Sequence, residues 1–155
     1  MIIKTAELIG RPLDWAVATA DARTISYDSI AYWVSDDRGH GVIGPGIRAA
    51  GRLCGYSPST QGGDAYDIIE REGIATRKDS KGVWYAMMSA DLGDGERASW
   101  AELTAKGGER YGVESWAVHK RQQRFKGETP LIAAMRAYVA KKLGREVDVP
   151  EELLK

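Results

Sequence analysis

A few groupings in this chain have the residue types and spacing to do chemistry. Gly39-His40-Gly41-Val42-Ile43-Gly44 has the G-x-G-x-x-G spacing. In a dinucleotide-binding turn, such glycines let backbone N–H groups close around a pyrophosphate at a helix N-terminus. That chemistry needs a strand before the turn and a long helix after it. Pro45 and Gly46 follow at once, so the spacing predicts no Rossmann site. A glycine-rich loop that holds an anion without that fold stays open. No Gly-Lys-Ser/Thr run occurs, so there is no Walker motif. A second grouping is Tyr56-Ser57-Pro58-Ser59-Thr60-Gln61-Gly62-Gly63-Asp64. Its hydroxyls and exposed N–H groups can wrap a polar ligand. The competing reading is a capping loop whose hydroxyls serve the local backbone.

Carboxylates and bases form the remaining groupings. Glu70 and Glu72 lie about 200° apart on a helix, so they do not face one site, whereas Asp67 and Glu70 do. A solvated helix face explains these acids equally well. His119, Lys120, Arg121, Arg124 and Lys126 cluster between Trp116 and Phe125, a pattern that can stack a base or meet a phosphate backbone. A basic face balanced by acids elsewhere is the plainer account. Cys54 has no base beside it in sequence and reads as an inert buried thiol. Ser57 and Ser59 lack the nucleophile-elbow pattern.

Composition bounds these options. The chain has 155 residues, a length that suits one domain over 1–155. Its 22 Lys+Arg balance 22 Asp+Glu, which argues against a nucleic-acid-coating protein and a basic membrane-surface helix. A hydrophobic share of 43% with 28% charged residues predicts a folded domain rather than disorder. One cysteine permits no internal disulfide, and with two histidines it offers no metal-ligand spacing. Neither a signal peptide nor a membrane span is expected, so the expected location is the cytoplasm, with no cofactor and no metal. Five Trp and seven Tyr against one Phe favour half-wet aromatic sites and leave homodimerisation open.

The elements that must position these groups follow from local signals. Residues 2–4 predict a strand, and Pro12 opens a helix carrying Leu13, Ala16, Val17 and Ala20, with Asp14 in its first turn. Residues 29–34 predict a strand ended by Asp36-Asp37-Arg38-Gly39. Glycines crowd 39–63, which predicts a long ordered loop with at most a short helix over 46–54. Asp64 caps an expected helix over 65–72 that stops at Gly73. Residues 74–77 and 83–88 predict a hairpin turning at 78–82, its second strand central because both faces are apolar. A surface loop at 89–98, a short helix near 99–105 and an element near 113–120 follow. The clearest helix begins at Thr129-Pro130, presents Leu131, Ile132, Met135, Tyr138, Val139 and Leu143, and ends at Gly144. A last turn starts at Pro150. The expected fold is α+β: one compact domain in which the N-terminal and C-terminal helices pack on a small, mostly antiparallel sheet.

Several segments in order resemble the NinX family of small tailed-phage and prophage proteins of unknown function. They are Leu13-Asp14-Trp15-Ala16-Val17-Ala18, Tyr56-Ser57-Pro58-Ser59-Thr60, Gly62-Gly63 with Ile68-Ile69-Glu70-Arg71-Glu72-Gly73-Ile74, and Thr129-Pro130-Leu131-Ile132-Ala133-Ala134-Met135-Arg136 through Gly144. The family pattern carries an Asp-Trp pair after the hydroxyl segment and runs Gly-Gly-Pro-Ile-Ile-Glu. Here that pair is absent and Asp64-Ala65-Tyr66-Asp67 is inserted. Residues 23–50 and 97–126 look like expansions. The resemblance implies a phage origin, an accessory role in the bacterial cytoplasm and no catalytic residues. It shifts the weight at 56–64 towards a binding surface.

The resulting expectation is a non-enzymatic phage protein acting on a host pathway. It holds a small polar or nucleotide-like ligand, or a host protein, at Trp15, Tyr56, Ser57, Ser59, Thr60, Gln61, Gly62, Gly63 and Arg71. Sequestration of a host immune nucleotide signal is its concrete form. The alternatives are a nucleotide-acting hydrolase or transferase using Asp67, Glu70 or His119, and a protein or nucleic-acid adaptor using Trp100, Trp116 and 120–126.

Overall fold

The computed structural model of the chain describes residues 1–36, 39–44, 47–49, 52–88 and 125–154. Its centre is the helix α3, Pro130–Leu143. Thr129 caps it by accepting the Ile132 N–H at 3.2 Å, with Pro130 in the first turn and Gly144 at its end. Ile132, Ala133, Ala134, Met135, Ala137, Tyr138 and Val139 are all buried. The expected single apolar stripe is therefore too narrow, because α3 is covered on several sides. A three-stranded antiparallel sheet lies on one side, in the order β7 (Ile74–Lys78), β8 (Trp84–Met88) and β9 (Phe125–Gly127). Helices α1 (Gly10–Ala20) and α2 (Gly62–Glu72) contact it elsewhere. Arg136 ties two neighbours to α3, donating to the Leu8 carbonyl at 2.8 Å and the Lys126 carbonyl at 2.7 Å.

The hairpin of β7 and β8 forms as expected, with β8 central in its sheet. Asp79 fixes the turn by accepting the N–H groups of Lys81 and Val83. The chain ends meet where β1 (Ile2–Lys4) pairs antiparallel with β10 (Glu146–Asp148). A final 3-10 turn covers Glu151–Leu154, close to its expected start. These sheets are mostly antiparallel and the helices pack on them, so the α+β expectation holds.

A five-stranded sheet differs most from the sequence reading. Its order is β2 (Thr24–Tyr27), β3 (Tyr32–Asp36), β4 (Gly39–Ile43), β6 (Arg52–Tyr56) and β5 (Ile47–Ala49). The strand expected over 29–34 starts only at Tyr32 and runs to Asp36, because residues 28–31 form a turn after β2. There the Asp28 carboxylate accepts the N–H groups of Ile30 and Ala31 and the Trp33 indole. The stretch 39–63, expected as a loop, contributes β4, β5 and β6 and no helix over 46–54 among its described residues. The glycines permit close strand packing instead of preventing it. A Cβ on Gly41 would stand 3.3 Å from the Gly55 carbonyl carbon across the parallel β4–β6 pair. The G-x-G-x-x-G run is thus strand, not a phosphate turn. Helix α1 begins at Gly10, before Pro12, which puts Asp14 beyond the first turn. The elements expected at 89–98, 99–105 and 113–120 lie outside the described residues.

Candidate functional site

Strand β6 ends at Tyr56 and delivers the hydroxyl loop between the sheet and α2. A tight turn shapes this loop, because the Ser57 carbonyl accepts the N–H groups of Thr60 at 3.0 Å and Gln61 at 2.7 Å. Two carboxylates pin it from either side. Asp64, in the first turn of α2, accepts the Ser57 N–H at 2.9 Å. The expected N-cap role of Asp64 therefore passes to Gln61, and Asp64 grips the loop instead. Asp14 reaches across from α1 and accepts the Ser59 N–H at 2.9 Å.

The loop is buried by that grip. Ser57 and Ser59 are each 1% exposed, Asp14 2% and Tyr56 5%, with Pro58 also inside. The hydroxyls of Tyr56, Ser57 and Ser59 nevertheless have no hydrogen-bond partner among the described residues. Each such group, left without water or ligand, costs about 1–3 kcal/mol. Burial pushes the Asp14 carboxyl up to about 6, against the lowering effect of the Ser59 N–H. The Ser59 and Ser57 hydroxyls also favour the ionised form by proximity, though neither makes a bond of hydrogen-bond geometry to it. Burial raises the Tyr56 phenol strongly, so it stays a proton donor through the physiological range. The Arg23 guanidinium sits 4.8 Å from the Tyr56 ring centroid.

The structure brings Tyr56, Ser57 and Ser59 together in the buried cluster and leaves Thr60 and Gly63 exposed at its rim. Gln61 and Gly62 are half-buried where α2 starts. Trp15 is half-buried against the core on α1, one position from Asp14. Arg71 lies at the other end of α2, about 14 Å along the helix from Gly62. There it donates to Asp21 and, at 3.2 Å, to the Tyr138 hydroxyl. Of the alternative catalytic residues, Asp67 and Glu70 are exposed on α2, and His119 lies outside the described residues, as do Trp100 and Trp116. Asp14 is the functional candidate that sequence reasoning missed. It shares a helix face with Val17 and Ala18, both fully buried, and an acid on an apolar face was the available signal.

The Arg71 cluster behaves as structural glue. Burial works to raise the Asp21 carboxyl, but hydrogen bonds from Arg71, Tyr138 and Arg23 outweigh it and hold the group below the usual range. The Tyr138 phenol, pushed up to about 12 chiefly by burial, stands 3.0 Å from Asp21 and 3.3 Å from the Ala20 carbonyl. Tyr138→Phe removes that donor while keeping the packed ring. It is expected to lower stability by about 1–2 kcal/mol in urea unfolding at pH 7. An unchanged midpoint would count against this account.

Among the described residues, no helix is long and apolar enough to cross a membrane, and no three His, Cys, Asp or Glu side chains group as a metal site. A family model described as bacteriophage P22, NinX matches residues 4–106. That span includes Asp14, the hydroxyl loop, α2 and the β7–β8 hairpin, and it stops short of α3. None of the curated proteins matches the chain.

Proposed function

The chain belongs to the bacteriophage P22 NinX family, and from that premise we propose that it is a phage accessory protein that binds a small polar, nucleotide-like ligand without turning it over. The bound ligand belongs to a host pathway, and its sequestration is the protein's effect, with counter-defence as the physiological setting. The observation that carries this reading is the trio of buried, unpartnered hydroxyls on Tyr56, Ser57 and Ser59 beside the buried Asp14. In a loop that serves packing alone, these hydroxyls are a cost, offset only by the help that Ser57 and Ser59 give the ionised Asp14. A ligand that completes those bonds recovers in binding what the free protein forgoes in stability.

The test is native mass spectrometry of the protein purified from phage-infected cells, followed by a denaturing run and a thermal-shift screen of nucleosides and nucleotides. A small mass released intact on denaturation, or a stabilising compound recovered unchanged, supports the reading. A clean apo mass with no thermal shift across the panel overturns it. Replacing both serines sharpens the result. The Ser57→Ala/Ser59→Ala chain is expected to be about 1–3 kcal/mol more stable than the natural chain when free at pH 5, where Asp14 is mostly protonated, and to bind any retained ligand about tenfold or more weakly. Loss of stability in the free variant would show that the hydroxyls already have partners.

A further inference from the structure

We propose that the outer face of the β7–β8–β9 sheet binds a single-stranded nucleic acid segment, with a base stacked on Tyr85 and phosphates held by Arg77 and Lys126. This face shares no residue with the hydroxyl loop, so neither reading depends on the other.

Strand register places these three side chains in one row. Arg77 pairs with Tyr85 across β7 and β8, and Tyr85 pairs with Lys126 across β8 and β9. Paired residues point to the same side of a sheet, and neighbours along a strand point to opposite sides. All three therefore leave the face opposite Ala86 and Met88, which are buried in the core that α3 centres. On that outer face Arg77 and Lys126 are exposed and Tyr85 is half-buried. Two inter-strand spacings put the Arg77 and Lys126 backbones about 10 Å apart, with the ring between them.

The ring is set for stacking. Its phenol lies by the Asp79 carboxylate of the hairpin turn and helps to hold that group ionised, so one end of the ring is fixed. Met87, two positions on and opposite the small Ala75, extends the apolar ground beside it. The Lys126 Nζ stands 5.9 Å from the ring centroid, at the outer limit of a cation–π contact. The Lys126 backbone is anchored, since its carbonyl accepts from Arg136 at 2.7 Å. Its flexible four-carbon side chain can swing from the ring to a phosphate.

Charge and shape choose the occupant. In the hairpin, β9 and the residue after it, Arg77, Lys78, Lys81 and Lys126 stand against Asp79 and Glu128. That local excess suits a polyanion, and the overall balance of charge excludes only a coating role. An acidic peptide would meet the cations but gain little from the ring. A nucleic acid meets both, because every base has a π-face that stacks on an aromatic side chain whatever the sequence. In a duplex those faces are already stacked on each other, so the partner is a single strand. None of these contacts reads the 2′-OH, so DNA serves as the probe.

Fluorescence anisotropy of a labelled oligo-dT of about 15 nucleotides, titrated with the full chain, tests the proposal. Binding is expected, and with two or three phosphates neutralised it should weaken about 7- to 20-fold between about 50 and about 200 mM salt. Tyr85→Leu is expected to weaken binding about tenfold or more, and Tyr85→Phe, which keeps the ring, to stay within about threefold of the natural chain. The Arg77→Gln/Lys126→Gln chain is expected to bind more weakly and with a flatter salt dependence. Circular dichroism melting of each variant separates lost binding from a lost fold, and if Tyr85→Leu does not fold, the paired cation variant decides. Silence at the lower salt concentration overturns the proposal. So does oligo-dT binding that either Tyr85→Leu or the paired cation variant leaves unchanged. A duplex that competes as well as the single strand would rule out stacking on Tyr85. Polyglutamate that competes as well would give this face to an acidic peptide instead.

Discussion

A Gly127→Ala chain is expected to lose about 3 kcal/mol of stability, with its thermal midpoint down by about 6–12 °C. The added Cβ would stand 2.4 Å from the Ala133 nitrogen, 2.9 Å from the Ala133 Cα and 2.9 Å from the Thr129 carbonyl oxygen. Every one of those atoms is backbone, so no side-chain rotamer relieves the overlap. Either β9 must move off its pairing with β8, where Gly127 sits opposite Trp84, or the first turn of α3 must open. The second route breaks the Thr129–Ala133 bond and disturbs the Thr129 cap. The first disturbs the bond that Arg136 donates to the Lys126 carbonyl. Circular dichroism melting checks this, with Gly63→Ala as the contrast. A Cβ at Gly63 meets nothing within 4 Å and sits inside α2, so that change is expected to leave the midpoint level or raise it. A Gly127→Ala midpoint within about 2 °C of the natural chain would show that β9 and α3 are not held this closely.

The contrast between these glycines marks what the sequence could express. Where a residue's role is local, it was legible. Thr129, Pro130 and Gly144 announce α3, Gly73 ends α2 in the left-handed conformation, and the Asp79 turn announces the β7–β8 hairpin. Where the role lies in what a backbone meets across the fold, it was not. Gly41 reads as a loop residue until Gly55 is laid beside it, and β4 to β6 were hidden for that reason. The site divides in the same way. The hydroxyl loop carries its own signal in residue types, and the structure gathers Tyr56, Ser57 and Ser59 as a unit. Asp14 bonds a residue 45 positions away, and its apolar helix face reports its burial but not that partner. Arg71 neighbours the loop through α2, yet the length of the helix carries it to Asp21 and Tyr138.

Asp14 also makes an unusual stability prediction, in that its removal should strengthen the free protein. In the folded chain its carboxyl lies at about 6, above its ordinary value of 3.8, because burial disfavours the charge. Between those values the native state keeps the proton and the unfolded state has lost it. The native state therefore binds more protons, and stability falls as pH rises through that window. Above pH 6 the penalty is complete, and a gap of about two pH units corresponds to about 3 kcal/mol. Asp14→Asn carries no such penalty. Its carbonyl still accepts the Ser59 N–H, and its amide donates towards the hydroxyl oxygens that now lack partners. The variant is expected to exceed the natural chain by about 1–3 kcal/mol at pH 8, the lower end reflecting imperfect amide geometry. The advantage should shrink as pH falls through 6 towards 4. Taking the difference between the two chains at each pH cancels the other carboxylates, such as Asp21, whose depressed values act at lower pH. A constant difference from pH 5 to pH 8 would mean that Asp14 is not the buried titrating group. A buried charge that weakens the free fold contributes nothing to packing that an asparagine there would not.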